Sequence, residues 1–102
     1  MPDYAATRDP NRCPSHPGAL LADVIPATGR SKTEIARLLC MSRQHLHDIL
    51  AERKPVSPDV AARLGKLFGD GAAIWLTMQA AHDAWRAERE VDVSQIPTIR
   101  AA

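Results

Sequence analysis

The chain is predicted to be all-α, and three observations carry that prediction. Of its 102 residues, 45% are hydrophobic but only one is Phe and one Tyr, so the core must come from Ala, Leu, Ile and Val with two Trp as bulky pieces. That composition favours helix over sheet. Ser31, Ser42 and Ser57 each stand just ahead of apolar positions at helical spacing, as N-caps do. Between residues 31 and 54, two short amphipathic segments are separated by three residues, the spacing of a helix-turn-helix. A chain this long suits one domain with a single modest core.

Residues 1–15, with Pro2, Pro10 and Pro14 among scattered charges, carry no apolar periodicity and are expected to form a flexible N-terminal arm. Arg8 and Arg12 in that arm can touch a phosphate or a partner. The folded domain is expected over residues 16–90. Pro17 fits the first turn of a helix whose apolar face is Leu20, Leu21, Val24 and Ile25, and which Pro26 and Gly29 should end.

The next two helices form the helix-turn-helix pair. Ser31 with Glu34 is a capping box, in which the hydroxyl takes the amide three residues on and the carboxylate reaches back to the cap amide. The helix should start at Lys32 and bury Ile35, Ala36 and Leu39, with Ala36 the small residue at the crossing. Leu39, Cys40 and Met41 interrupt the pattern, and Ser42 caps the second helix. There Leu46, Ile49 and Leu50 make one face, while Arg43, Gln44, His47 and Asp48 project to the polar side.

Further along, Ser57, Pro58 and Asp59 supply a hydroxyl cap, a proline where no amide is missed and an acid at the positive helix end. Ala61, Leu64, Leu67 and Phe68 form the inner face, and Gly69 suits the C-cap. Asp70 can cap a last helix of about twenty residues, with Ile74, Met78, Ala81 and Trp85 as its core stripe and Trp75 and His82 beside it. Gln79 and Asp83 are read as satisfying nearby backbone or surface groups, and Arg86 to Glu90 as a solvated charged run. Residues 91–102 form a short C-terminal extended tail in which Val91 and Val93 alternate with polar residues and Ile96 and Ile99 flank Pro97. It is either an edge strand that can pair across a dimer or onto a toxin's sheet, or a disordered tail.

The polar face of the second helix has the chemistry of base readout. Arg43 can pair bidentately with guanine O6 and N7, Gln44 with adenine N6 and N7, and His47 can donate to either acceptor. Asp48 can accept from cytosine N4, or simply be a solvated surface carboxylate that repels phosphate. Lys32, Thr33, Ser42, Arg53 and Lys54 suit phosphate contacts, which set register without reading sequence.

Taken together, His16-Pro17-Gly18, the helix pair, Pro58-Asp59-Val60-Ala61-Ala62-Arg63-Leu64, and Trp75-Leu76 with Gln79, Asp83 and Trp85 resemble the HigA antitoxins of bacterial toxin–antitoxin modules, within the Xre/Cro-like helix-turn-helix superfamily. The likeness runs over residues 11–90. It implies a compact five-helix domain like that of Xre and lambda repressor, a homodimer on a palindromic operator in double-stranded DNA, and a partner HigB toxin, a RelE-like ribosome-dependent mRNA endonuclease. Three departures stand out. Cys40 occupies the turn where the family usually has Gly, so a left-handed backbone there would be strained. Ala51-Glu52-Arg53 replaces the common Asn-Gly after the recognition helix, which leaves room for that helix to run longer. His82 stands where the family often has Tyr.

Charge and cysteines bound the function further. The net charge is only +1, but residues 30–54 hold six bases (Arg30, Lys32, Arg37, Arg43, Arg53, Lys54) against three acids (Glu34, Asp48, Glu52), a local +3. Positive charge is concentrated where a groove would lie, and few phosphates are neutralised per subunit, so affinity should depend on salt and on dimerisation. Cys13 and Cys40 make no disulfide framework, and neither a leader nor a long apolar run is evident, which makes the cytoplasm the expected compartment and a membrane unexpected. Cys40 reads as a small turn or core residue rather than a redox switch.

Cys13 and His16 lack a second matching ligand pair, and His45 and His47 diverge by about 200° on one helix, so no metal is expected. No phosphate loop and no nucleophile with its base appear, so neither a cofactor nor an enzymatic activity is expected. Two functions remain. In one, an antitoxin neutralises the HigB-type toxin and represses its own operon, the dimer setting two recognition helices about 34 Å apart. In the other, a stand-alone Xre-family transcriptional regulator has no cognate toxin.

Overall fold

In the computed structural model, which describes residues 11–101, five helices follow one another: α1 (Pro17–Ala27), α2 (Lys32–Leu38), α3 (Arg43–Leu50), α4 (Pro58–Phe68) and α5 (Ala72–Glu90). No strand occurs among the described residues. Residues 1–10 of the expected arm, Arg8 included, lie outside the described residues. The all-α expectation and its five elements hold.

The core shows why these segments pack. Leu21 and Ile25 from α1, Ile35 and Ala36 from α2 with Leu39 just after it, Leu46 and Ile49 from α3, Val60, Ala61 and Leu64 from α4, and Trp75 from α5 are all buried in one cluster. Two faces differ from the sequence reading. On α1, Leu20 turns outward at 39% exposure, leaving Leu21 and Ile25 as the buried pair. On α5 the inward line is Trp75, Gln79 and His82, while Ile74 is 51% exposed and Met78, Ala81 and Trp85 are only half-buried.

That rotation of α5 by about one residue has two causes. Gly65 of α4 lies against the backbone of Gly71 and Ala72, where a Cβ would overlap, so the two helices meet at backbone contact and the register is fixed there. Gln79 and His82 also find buried partners. Gln79 Oε1 accepts from the Val56 amide at 2.8 Å and its Nε2 donates to Asp83 at 2.9 Å, while His82 Nδ1 donates to the Pro14 carbonyl at 2.8 Å. A satisfied polar group is cheap to bury.

Caps govern the helix starts. Ser31, Ser42 and Ser57 each accept from the amide three residues on, at 3.1, 3.0 and 3.3 Å. Glu34 does not complete the capping box, because its carboxylate is held by Arg30 at 2.6 Å. Nor does Asp70 cap α5. Gly71 takes that position without a side-chain cap, and Asp70 instead accepts from the Trp75 indole at 3.0 Å. At the start of α1, His16 is the cap: its Nδ1 accepts from the Gly18 amide at 2.8 Å. Pro26 does not end α1, which runs one residue past it to Ala27.

Two helix ends use a left-handed residue that is not glycine. After α2, the Cys40 amide donates to Arg37 O and the Met41 amide to Ala36 O, both at 3.0 Å, with Cys40 at φ 56°. After α3, Glu52 at φ 63° repeats the pattern, its amide donating to Ile49 O and that of Arg53 to Asp48 O. These are Schellman closures, and a residue with a Cβ adopts them at a cost of about 1 to 2 kcal/mol. α3 therefore stops at Leu50 and does not run on through Ala51-Glu52-Arg53, because the two carbonyls near its end are already taken.

One contact sets α3 against α1. A Cβ at Gly18 would overlap the Ile49 carbonyl, so glycine alone lets the first turn of α1 lie on the end of α3. Gly18→Ala should lower stability by about 1 to 3 kcal/mol through overpacking, outweighing alanine's better helix propensity. The urea midpoint reports it. A midpoint equal to wild type would mean that α1 slides without cost.

Candidate nucleic-acid interface

The helix pair presents a groove lined by side chains with polar ends. Lys32 at the start of α2 and Arg43, Gln44 and His47 along α3 line a cleft of about 590 Å³. All four are exposed, while Leu46 and Ile49 on the opposite face of α3 are fully buried. The helix thus has one side committed to the core and one side open. Thr33 and Ser42 sit exposed beside the same groove, with Ser42 Oγ already accepting from the His45 amide.

At the far end of α3 a second set of predicted residues is drawn together by Asp48. Its Oδ1 accepts from Gln44 Nε2 at 3.0 Å and from Arg53 Nη2 at 3.0 Å, and its Oδ2 lies 3.9 Å from Lys54 Nζ. The Arg53 guanidinium first, and then the Gln44 amide, hold its carboxyl below the usual carboxylate range. In this arrangement Asp48 orients Gln44 and partly neutralises two of the cations assigned to phosphate. Arg43 and His47 remain in the groove without that tether.

A second polar cluster brings His82 against Cys13 and His16, a meeting the sequence did not point to. Cys13 Sγ is 3.5 Å from His82 Nδ1, and the His16 ring stands edge-on to that of His82 with centroids 5.2 Å apart. The Pro14 carbonyl needs a proton on His82 Nδ1, whereas the Gly18 amide needs His16 Nδ1 to lack one. Both nitrogens are thus committed to backbone. Among the described residues, no group of three or more His, Cys, Asp and Glu side chains is arranged to hold a metal ion.

His16 gives the domain a pH dependence of defined sign. Burial first, and the neighbouring His82 second, push its pKa below 6.5, against weaker pulls from Glu52, Asp83 and the Lys54 carbonyl. The unfolded chain then binds a proton more readily, so the stability this group contributes is complete above pH 6.5 and is lost as pH falls from there through the folded-state value. Urea midpoints from pH 7.5 to 5 should fall accordingly. His16→Asn, which keeps a capping oxygen but does not titrate, should flatten the profile. An identical profile in that variant would assign the effect elsewhere.

Arg63 also escaped the sequence reading of the interface. From α4 its Nη1 donates to the Leu39 carbonyl at 2.9 Å and to the Cys40 carbonyl at 2.7 Å. In the sequence it stood only within the family-like segment Pro58–Leu64, four residues after Asp59, whose carboxylate accepts from Nε at 3.0 Å. Cys40 itself is exposed, not part of the core. No helix among the described residues is long and apolar enough to cross a membrane.

No family model matches the chain. Individual proteins do. It is 34% identical over 76 residues to virulence-associated protein I of Dichelobacter nodosus, covering 74% of this chain and 70% of that protein. The antitoxin HigA of Pseudomonas aeruginosa, solved with the higBA promoter, is 31% identical and superposes with a TM-score of 0.69 over 78% of this chain and 96% of its own. An addiction module antidote protein of the HigA family from Coxiella burnetii superposes at 0.79 with 27% identity, over 87% of this chain and all of the other. The capped helix pair, the outward groove on α3 and these likenesses agree, and the chain belongs to the HigA family of helix-turn-helix antitoxins.

Proposed function

We propose that the protein is the antitoxin of a type II toxin–antitoxin system: it binds and neutralises a RelE-like HigB mRNA endonuclease, and as a homodimer it represses its own operon at a palindromic operator. The observation that carries the DNA half is the division of α3. Leu46 and Ile49 anchor it while Arg43, Gln44 and His47 line an open groove with Lys32, in a fold shared with an antitoxin solved on promoter DNA.

Arg43, Gln44 and His47 are assigned to base edges. Asp48 is assigned to the same surface, where it can meet cytosine N4 if Gln44 and Arg53 release it, and otherwise sets the angle of Gln44. Lys32, Thr33, Ser42, Arg53 and Lys54 are assigned to phosphates, fixing register. With so few cations per subunit, two recognition helices are needed for useful affinity, which supports the dimer. The apolar residues that the fold leaves outside, Ile74 on α5 and Val91, Val93, Ile96 and Ile99 in the tail, offer surface for a second copy or for the toxin. The role is one of binding, without a catalytic step.

Co-expression with the neighbouring reading frames of the native operon tests the proposal. A small basic RelE-like protein should co-purify, and the complex should protect a two-fold symmetric stretch of the promoter in footprinting. Promoter protection without a partner would leave a stand-alone Xre-type regulator, and failure to protect any promoter sequence would remove the repressor role. Removal of residues 91–102 should weaken dimerisation or toxin capture, as sedimentation and pull-down would show.

A further inference from the structure

α4 offers no side chain to the groove, yet Arg63 reaches from it across to the turn that joins α2 to α3. The two carbonyls it grips, Leu39 O at 2.9 Å and Cys40 O at 2.7 Å, lie at the end of α2, where a helix leaves acceptors without intrahelical partners. Its own orientation is fixed by Asp59, which accepts from Nε at 3.0 Å one turn earlier on α4. A bond from a guanidinium is stronger than one from a neutral donor.

The position of that grip is informative. Cys40 holds φ 56°, a conformation that a Cβ disfavours and only glycine adopts freely. If Cys40 relaxed to a right-handed or extended backbone, its carbonyl would swing away and the Arg63 bond would be lost. Ser42, the cap of α3, follows two residues later. The backbone direction at Cys40 therefore sets how α3 leaves α2, and with it where Arg43, Gln44 and His47 stand relative to Lys32.

We infer that Arg63 is a positioning residue for DNA recognition, clamping the left-handed turn at Cys40 so that the recognition helix keeps a fixed angle to α2. The inference rests on the DNA-reading role proposed above, but the clamp itself can be measured without DNA. The alternative use of the same guanidinium, direct contact with a phosphate, makes opposite predictions.

The test compares wild type, Arg63→Ala, Cys40→Gly and the double variant. Each is measured for affinity at several salt concentrations, on a duplex that the wild-type protein selects from a randomised pool. Hydrogen exchange is followed at the Met41 amide, whose bond to Ala36 O closes the turn. Arg63→Ala should lose affinity about tenfold or more, as expected for a charge-assisted bond, with its salt dependence unchanged, and Met41 should exchange faster. Glycine at position 40 adopts the turn without help, so the double variant should recover most of both losses, while Cys40→Gly alone should bind within about threefold of wild type.

Equal losses in the single and double variants would overturn the clamp. So would a salt slope lower by about one in Arg63→Ala, which marks a phosphate contact. If Arg63→Ala does not fold, Arg63→Lys with and without Cys40→Gly carries the same comparison. If the wild-type protein selects no duplex, the DNA reading fails, and the Met41 exchange rates still decide whether Arg63 and Cys40 are coupled.

Discussion

Alanine at Trp75 should destabilise the domain by about 3 to 5 kcal/mol, the range for emptying a large buried aromatic site. The indole is 2% exposed and packs beside Phe68, with ring centroids 6.0 Å apart. It also fastens the start of α5, through Nε1 to Asp70 at 3.0 Å, at a helix end that has no side-chain cap of its own. A small domain is typically stable by only about 5 to 15 kcal/mol, so the variant should lose a large share of its stability. Trp75→Phe separates the two contributions: it keeps most of the volume, loses the hydrogen bond, and should cost clearly less. Urea titration followed by circular dichroism gives both values. A Trp75→Ala midpoint within error of wild type would mean that the α4–α5 contact holds the helix without its aromatic anchor.

The second large effect belongs to binding. Arg43→Ala and Gln44→Ala should each cost about 1 to 3 kcal/mol on the operator, and the pair should abolish discrimination between it and an unrelated duplex. Both side chains are exposed and the Ser42 cap is independent of them, so the urea midpoint should not move. Lys54→Ala should instead weaken all sequences alike. The two single losses are not expected to be equal. Gln44 is already held by Asp48, so its orientation is set before DNA arrives, whereas Arg43 must be ordered on binding. Fluorescence anisotropy on matched and scrambled duplexes resolves these cases. Unchanged operator affinity in the double variant would remove α3 as the reading helix.

Much of this architecture was legible because it is written in neighbouring residues. A serine three positions ahead of the amide it caps, a proline in a first turn, or apolar residues three and four apart on a helix specify their contacts within one or two turns of chain. The starts of α2, α3 and α4 and the groove-facing set on α3 were of this kind. The misplacements came where one element's setting depends on another. Ile74, Met78, Ala81 and Trp85 form a sound apolar stripe, yet α5 buries Trp75, Gln79 and His82 instead. The backbone contact at Gly65 and the amide of Val56 lie on other segments of the chain and are invisible to a periodicity within α5.

By itself, then, the amino-acid order determined the helical class, the position of the helix-turn-helix and the concentration of positive charge over residues 30–54. Only the tertiary structure decided the rotation of α5, the closure of Asp48 onto Gln44 and Arg53, the left-handed ends at Cys40 and Glu52, and the reach of Arg63 to a turn more than twenty residues earlier. The reason is range. Capping and amphipathicity are satisfied inside a single helix, but a buried amide, a strained turn or a guanidinium finds its partner only when distant segments have been brought into contact.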